Sequence, residues 1–354
     1  MKHTLSHKLQ GMTLIELMIG LVISIILLAG VAEIFLGSKQ TYRYQEGMAR
    51  LQENGRYTLD TLSAKIRMAG YRGCYSSNAT DQVNTVNGGG DVDYDFTTPI
   101  ISWQANFSSY EANKDGTSYG AEVPNDVRAL IGSTPGGTSY SDILVFTGAD
   151  NSGIRLATSM PSSSAVIKLL SHSPEVLFDD DILMISDCEK SAIFQATNVT
   201  YPGGGANINV VHNTGGSSSP GNSTKDLTSG SSSFDTDASV FKLAKIYYFI
   251  APSAINNNQG DTIMALWRKY NSSDPEEMVA GISNLQIVLG EDVDGDKSAD
   301  RYGNANLVDF ENVVSVRLKI DSDTVERINN KSSIGEAITE QTFTQTIAVR
   351  NRSI

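Results

Sequence analysis

From Leu17 to Leu36 the chain is apolar, broken mainly by Ser24 and Glu33. A helix of about 20 residues crosses about 30 Å of hydrocarbon, so this run predicts a membrane-inserted helix. Ten residues precede Gly11; they contain Lys2 and Lys8 and no acid. Those lysines are expected to stay cytoplasmic, which sends everything after Lys39 outward. A secretory signal places its small-residue cleavage site after the apolar core. Here Gly11 stands before the core, so a cut at that glycine leaves the anchor on the mature chain.

The entrance to the run reads Gly11-Met12-Thr13-Leu14-Ile15-Glu16-Leu17. These residues closely resemble the class III signal of type IV prepilins and type II secretion pseudopilins. The resemblance implies that a prepilin peptidase cuts the Gly11–Met12 bond and N-methylates Met12. Glu16 then becomes mature position five. A carboxylate in hydrocarbon costs about 2.5 kcal/mol or more, and the terminal amine of a neighbouring subunit would neutralise it during filament assembly. The alternative is a glutamate that reaches back to the headgroups, favoured by the helix dipole.

Lysine and arginine total 27 against 40 acids, a net charge of −13 that grows more negative once the leader lysines are removed. Phosphate contacts need clustered Lys and Arg, so this balance argues against general nucleic-acid binding. More than 280 residues follow the expected helix, enough for real hydrophobic cores. Cys74 and Cys188 both fall outside the membrane in this topology, where oxidation is permitted, and they are expected to be bridged. Closing a loop of that length would restrict the unfolded chain by about 4 to 5 kcal/mol. The alternative is a pair of separately buried thiols. With neither a CxxC pair nor a Cys/His cluster, the sequence offers no zinc site.

From Lys39 to Ala69 an apolar line runs through Met48, Leu51, Leu59, Leu62, Ile66 and Ala69, with Gly55 among them. Spacings of three and four predict an amphipathic helix that continues the membrane segment and ends near Gly70 to Gly73. Strands are expected at residues 143–147, 166–170, 182–186, 192–197, 240–250, 262–270, 285–289, 313–320 and 343–350, from their β-branched and aromatic content. Residues 84–95 and 202–234, rich in Gly, Ser, Asn and Asp, read as long surface loops. Tyr42 and Tyr44 are expected at the membrane interface, and Tyr57, Tyr71 and Tyr75 under the globular part. The fold class is therefore α+β. Residues 1–11 form a leader, 12–36 the membrane-spanning and 37–73 the amphipathic part of one helix, and 74–354 a β-rich globular domain.

Beyond the signal, several segments resemble the PilW-type minor pilins, large type IV pilus subunits that share architecture with the J-type pseudopilin of type II secretion. They are Ala69-Gly70-Tyr71-Arg72-Gly73-Cys74, Ile185-Ser186-Asp187-Cys188, Gly281-Ile282-Ser283-Asn284-Leu285-Gln286, the acidic run from Asp292 to Asp300, and Val349-Arg350-Asn351-Arg352. The resemblance implies a non-enzymatic minor pilin that primes filament assembly in the inner membrane and ends near the pilus tip, serving adhesion and twitching motility. Its partners would be other minor pilins, the major pilin, the prepilin peptidase, membrane lipid and the assembly platform. A pseudopilin in a secretion system is the runner-up. Glu33 stands where major pilins often carry a proline, which favours a minor subunit.

Asp292-Val293-Asp294-Gly295-Asp296-Lys297-Ser298-Ala299-Asp300 places carboxylates at loop positions 1, 3, 5 and 9, with the Ser298 carbonyl at 7. That spacing suits a calcium ion. Lys297 occupies the position where such loops prefer glycine, so a solvated acidic turn remains the other reading. Gly116-Thr117-Ser118-Tyr119-Gly120 has the letters of a hydrolase elbow but lacks the apolar strand that elbow requires. Only His172 and His212 remain beyond the leader as bases, and no catalytic constellation follows.

Overall fold

The computed structural model describes residues 12–73, 82–88, 94, 96, 98–106, 109–111, 123–132, 141–150, 153–161, 164–215, 218–228, 233–329 and 336–351. One helix, α1, runs without interruption from Leu14 to Met68. At 1.5 Å per residue it is about 80 Å long. No proline breaks it, and it stops at Ala69, after which Gly70 turns with φ of 73°. The Gly70 N–H then donates to the Thr147 carbonyl at 2.8 Å, so the chain leaves the helix directly onto a strand.

The first strands are β1 (Gln82–Asn84), β2 (Ile100–Asn106), β3 (Ser109–Glu111), β4 (Ile143–Ala149), β5 (Ile154–Arg155) and β6 (Val166–Leu169), with a short helix α2 (Asn125–Gly132) before β4. They continue as β7 (Ile182–Ser186), β8 (Ser191–Gln195), β9 (Asn198–Thr200), β10 (Ile208–Val211), β11 (Ser239–Asn256), β12 (Thr262–Tyr270) and β13 (Glu276–Ala280). The last are β14 (Ile282–Glu291), β15 (Arg301–Gly303), β16 (Val313–Asp323), β17 (Ile328–Asn329), β18 (Glu336–Ala337) and β19 (Glu340–Ala348). The large sheet has the order β1-β8-β7-β11-β4-β2-β3, with β12 and β13 continuing from β11. Strand β11, 18 residues long, is its spine and pairs with β4, β5, β7 and β12. A second sheet has the order β15-β14-β16-β19.

The distal half of α1 buries Leu51, Gly55, Thr58, Leu62, Ser63 and Ile66. Their spacing of three and four makes one face, and β16 and β19 supply its partner. Gly55 is required there, because a Cβ would stand 2.3 Å from the Phe343 ring. Asn54 donates to the Ala280 carbonyl at 3.0 Å, and Ser322 to the Leu51 carbonyl at 3.2 Å. Leu62 and Ile66 join the main core, where Trp103 stacks on Tyr247 at 6.0 Å. A second core lies between β5–β10 and the first part of β11, around Leu183, Phe194, Val210 and Phe234.

Residues 202–234 are not simply a surface loop. They contain β10, and His212, Asn222, Leu227 and Phe234 are buried. Asn222 accepts from the Gln195 N–H at 2.8 Å and donates to its carbonyl at 2.8 Å, which holds this segment on β8. Tyr57 is also not under the globular part; it is 51 % exposed, whereas Tyr71 packs edge-on against Phe241. Tyr75 lies outside the described residues.

His212 is fully buried beside Phe194, and neither ring nitrogen has a hydrogen-bond partner among the described residues. Burial pushes its pKa down to about 4, against a weaker opposing pull from the backbone of His212 and Ser164. Asp323 moves the other way: burial, with Glu340 and Asp321 nearby, pushes it up to about 6 against the Ser283 hydrogen bond.

The fold is neutral at His212 while the unfolded chain takes up a proton, so its contribution is complete above pH 6.5 and drains as pH falls toward 4. The loss is about 3 kcal/mol. Unfolding midpoints of wild type and His212→Leu, followed from pH 7 to 4, should diverge in slope, with the variant losing less stability; parallel curves would refute this. The comparison cancels Asp323, whose effect on stability runs in the opposite direction. Gly55→Ala forces Cβ into the Phe343 ring and should cost about 1 to 3 kcal/mol in denaturant unfolding, a loss that Phe343→Leu in the same chain should partly reverse.

Candidate functional site

At the start of α1 the sequence Thr13-Leu14-Ile15-Glu16 forms a reciprocal cap. The Glu16 N–H donates to Thr13 Oγ1 at 3.4 Å, while Thr13 N–H and Oγ1–H both donate to Glu16 Oε2 at 2.9 Å. Glu16 therefore satisfies the exposed start of its own helix through one oxygen. Its Oε1 makes no hydrogen bond among the described residues. Met12 is 76 % exposed beside it, and Gly11 lies outside the described residues.

From Leu14 to Leu36 the helix is apolar on every side and exposed throughout; Leu28, for instance, is 74 % exposed. Each such side chain left in water forgoes about 1.5 to 3 kcal/mol. This half therefore needs lipid or neighbouring helices around its whole circumference. It is long and apolar enough to cross a membrane. Of the two polar side chains that break the run, Ser24 and Glu33, Ser24 is satisfied internally, donating to the Gly20 carbonyl at 2.7 Å. Beyond the apolar run, Tyr42 and Tyr44 are exposed.

The acidic segment joins β14 to β15. Oxygens of Asp292, Asp294 and Asp300 lie within 4.8 Å of one another. Asp296, expected to join them, does not belong to that group; its Oδ1 instead accepts the Ser298 N–H at 2.8 Å. Asp300 Oδ2 accepts the N–H groups of Val293 and Asp294 at 2.7 and 3.3 Å. Asp292 accepts those of Gly295 and Lys297 at 2.7 and 2.9 Å. Gly295 has φ of 84° and Lys297 φ of 69°, so the lysine adopts the left-handed backbone for which glycine is preferred. The base of the loop is fixed by buried Glu291, paired with Arg301 at 2.8 Å.

Cys188 is disulfide-bonded and sits in the turn between β7 and β8. Its expected partner, Cys74, lies outside the described residues. Ser186 Oγ donates to the Arg72 carbonyl at 3.3 Å, which lays that turn beside the segment leading to Cys74. Residues 116–120, with the letters of a hydrolase elbow, also lie outside the described residues. His172 is half-buried and bonds the Pro174 carbonyl at 2.9 Å through Nδ1. His212 is enclosed in the second core, so the structure does not bring the two histidines together.

The capping box was available in the sequence as the Thr-x-x-Glu spacing ahead of an apolar run. Arg72 had no comparable signal: its guanidinium donates to the Phe96 carbonyl and at 3.4 Å to Gln82, a role that depends on long-range packing.

A continuous helix, apolar on all sides at one end and docked on a strand-rich head at the other, defines a pilin-class α+β protein. Two family models match. One, the prokaryotic N-terminal methylation motif, covers residues 7–32, and the other, Type IV Pilus-assembly protein W, covers residues 247–351. The chain thus carries a prepilin-type N-terminus and a PilW-type C-terminal portion, the latter running from within β11 through the acidic loop to just past β19. These matches support a type IV pilus-associated minor pilin, from families that are structural rather than catalytic. No curated protein and no solved structure matches the chain.

Proposed function

We propose that this protein is a non-enzymatic minor pilin that primes type IV pilus assembly in the inner membrane and ends near the pilus tip, in service of adhesion and twitching motility. The observation that carries the reading is the exposed apolar half of α1 with Glu16 at its mouth. A simple anchor would use Glu16 only for the cap with Thr13, which takes one carboxylate oxygen, whereas a helix that must stack on others also has a use for the second. Prepilin peptidase cuts Gly11–Met12, and the leader lysines hold the N-terminus cytoplasmic with the head periplasmic. The new amine and the open Oε1 of Glu16 then serve docking between subunits, since opposite charges in low dielectric attract strongly. Residues 12–36 form the membrane part of the helix, 37–73 its amphipathic continuation and 74–354 the head. The partners are other minor pilins, the major pilin and the assembly platform.

In this reading Cys74 and Cys188 are bridged, pinning the β7–β8 turn to the exit of α1; the Ser186 contact with Arg72 supports it. The acidic loop takes calcium through Asp292, Asp294 and Asp300. Calcium binds six to eight oxygens, so backbone carbonyls, water or a shifted Asp296 must complete the shell. Bound, the ion would stiffen the connection between β14 and β15.

Glu16→Ala should reduce surface pili counted by electron microscopy to near the level of a gene deletion, and part of the loss should recover when retraction is disabled. Normal pili for both deletion and variant would point instead to a secretion pseudopilin. For calcium, saturating ion should raise the melting temperature of the purified protein by about 5 °C, chelator should reverse it, and Asp294→Asn should blunt it. A melting temperature indifferent to both would remove the metal from this account.

A further inference from the structure

Strand β19 closes one side of the four-stranded sheet and has no neighbour on its outer edge among the described residues. Open edges are ordinarily kept short or charged, because their free N–H and C=O groups recruit other strands. The other edges here follow that practice. Strands β1, β3 and β15 have three residues each, and β13 carries Glu276 and Glu277. By contrast, β19 runs for nine residues in unbroken register with β16, without proline, lysine or bulge, and with Glu340 as its one charge.

The direction of its free groups follows from the ladder. The Val349 N–H donates to the Val314 carbonyl at 2.8 Å, and the Thr324 N–H to the Thr339 carbonyl at 2.8 Å. Hydrogen-bonded pairs alternate along an antiparallel ladder, so Phe343, Gln345 and Ile347 bond inward. The N–H and C=O of Glu340, Thr342, Thr344, Thr346 and Ala348 face outward.

Helix α1 lies beside this edge and runs the same way. Gly55 meets Phe343, Ser63 donates to Gln345 at 2.9 Å, and Asn351 donates to the Ala69 carbonyl at 3.1 Å. The stripe of α1 that includes Ser63 also carries Arg56 and Arg67, both exposed and without an ion pair among the described residues, with Asp60 four residues after Arg56 on the same stripe. On the outer face of the sheet, Arg317 and Lys319 pair in register with Thr346 and Thr344. Lys319 pairs with Asp321 at 3.7 Å, so Arg56, Arg67 and Arg317 are the cations of this flank without an ion pair among the described residues, on a chain whose net charge is −13.

We propose that the β19 edge receives an extended, acidic segment from a different pilin subunit, which adds a fifth strand and sets its carboxylates against Arg56 and Arg67. A second copy of this chain does not fit. Antiparallel pairing of β19 with itself needs a two-fold axis across the strands, and that axis would invert one α1 relative to the membrane. Parallel self-pairing is not symmetric in its hydrogen bonds. The acids of β13 are engaged at home, Glu276 with Arg268 and Glu277 with Ser253 at 2.7 Å. This inference rests on the filament reading, in which membrane-anchored subunits stand side by side.

Thr344→Pro in the full-length protein removes one outward donor and leaves the ladder to β16 intact. Arg56→Glu reverses the charge of the flank without touching the strand. A photo-crosslinking residue at Thr346, in cells, reports the neighbour. The expected result is an adduct with another subunit bearing a prepilin signal, diminished about tenfold by either substitution, together with reduced piliation at unchanged protein level and melting temperature. An adduct with a second copy of this chain, no adduct, or normal adduct and pili with Arg56→Glu and with a folded Thr344→Pro would overturn it. Glu16→Ala separates the two ideas. If Glu16→Ala abolishes pili and the edge variants do not, the filament reading stands and the edge proposal falls; if Glu16→Ala is silent, the filament reading itself has failed.

Discussion

A single rigid rod has to satisfy two solvents, and everything else in the structure accommodates that. Over its first half α1 is apolar on every side, and over its second half it narrows to one buried face, without a proline or a break between them. Side chains around a helix repeat every 3.6 residues, so the change from all-round to one-sided hydrophobicity is a change of surroundings written directly into the sequence. Because the rod is continuous, the orientation of the head relative to the membrane normal is set by how β16 and β19 grip residues 51–66. The Gly55 and Phe343 contact is the tightest point of that grip, since it is where ring and backbone approach without an intervening side chain.

The polar contacts around the grip do a different job from the apolar ones. Leu51, Leu62 and Ile66 supply the burial, while Asn54, Ser63 and Ser322 fix the axial position by reaching particular carbonyls or amides. Hydrogen bonds of this kind add about 1 kcal/mol each to stability. Their larger effect is on register, because sliding the helix by one turn leaves each of these groups unpartnered in a buried site.

Much of this was legible before any coordinates. The long helix and the strands from Ile143 onward follow from periodicity and β-branched content, and Thr262–Tyr270 and Ile182–Ser186 fall at the expected residues. What escaped were short elements in polar surroundings. Strand β10 holds four residues among glycines and asparagines, and α2 only eight. Neither gives periodicity enough repeats, and the burial of Asn222 depends on a partner, Gln195, that lies 27 residues away. In the acidic loop Asp292, Asp294 and Asp300 come together, but spacing alone does not reveal that the Asp296 carboxylate takes up the Ser298 N–H. Tyr57 was misplaced because an aromatic residue on an amphipathic helix gives no sign of which side of the stripe it occupies when the neighbouring sheet is unknown.

Strand β11 gives the head a mechanical character. It pairs with β7 at its start and with β4 and β12 further along, and its residues belong to both principal cores. One covalent backbone thus passes through both, with no linker between them. A load delivered along α1 enters the first core through β16 and β19 and the neighbourhood of the second through the helix exit at Gly70 to Arg72, and β11 ties the two routes together. Such a head resists being drawn apart into halves and is suited to carrying tension as a single body.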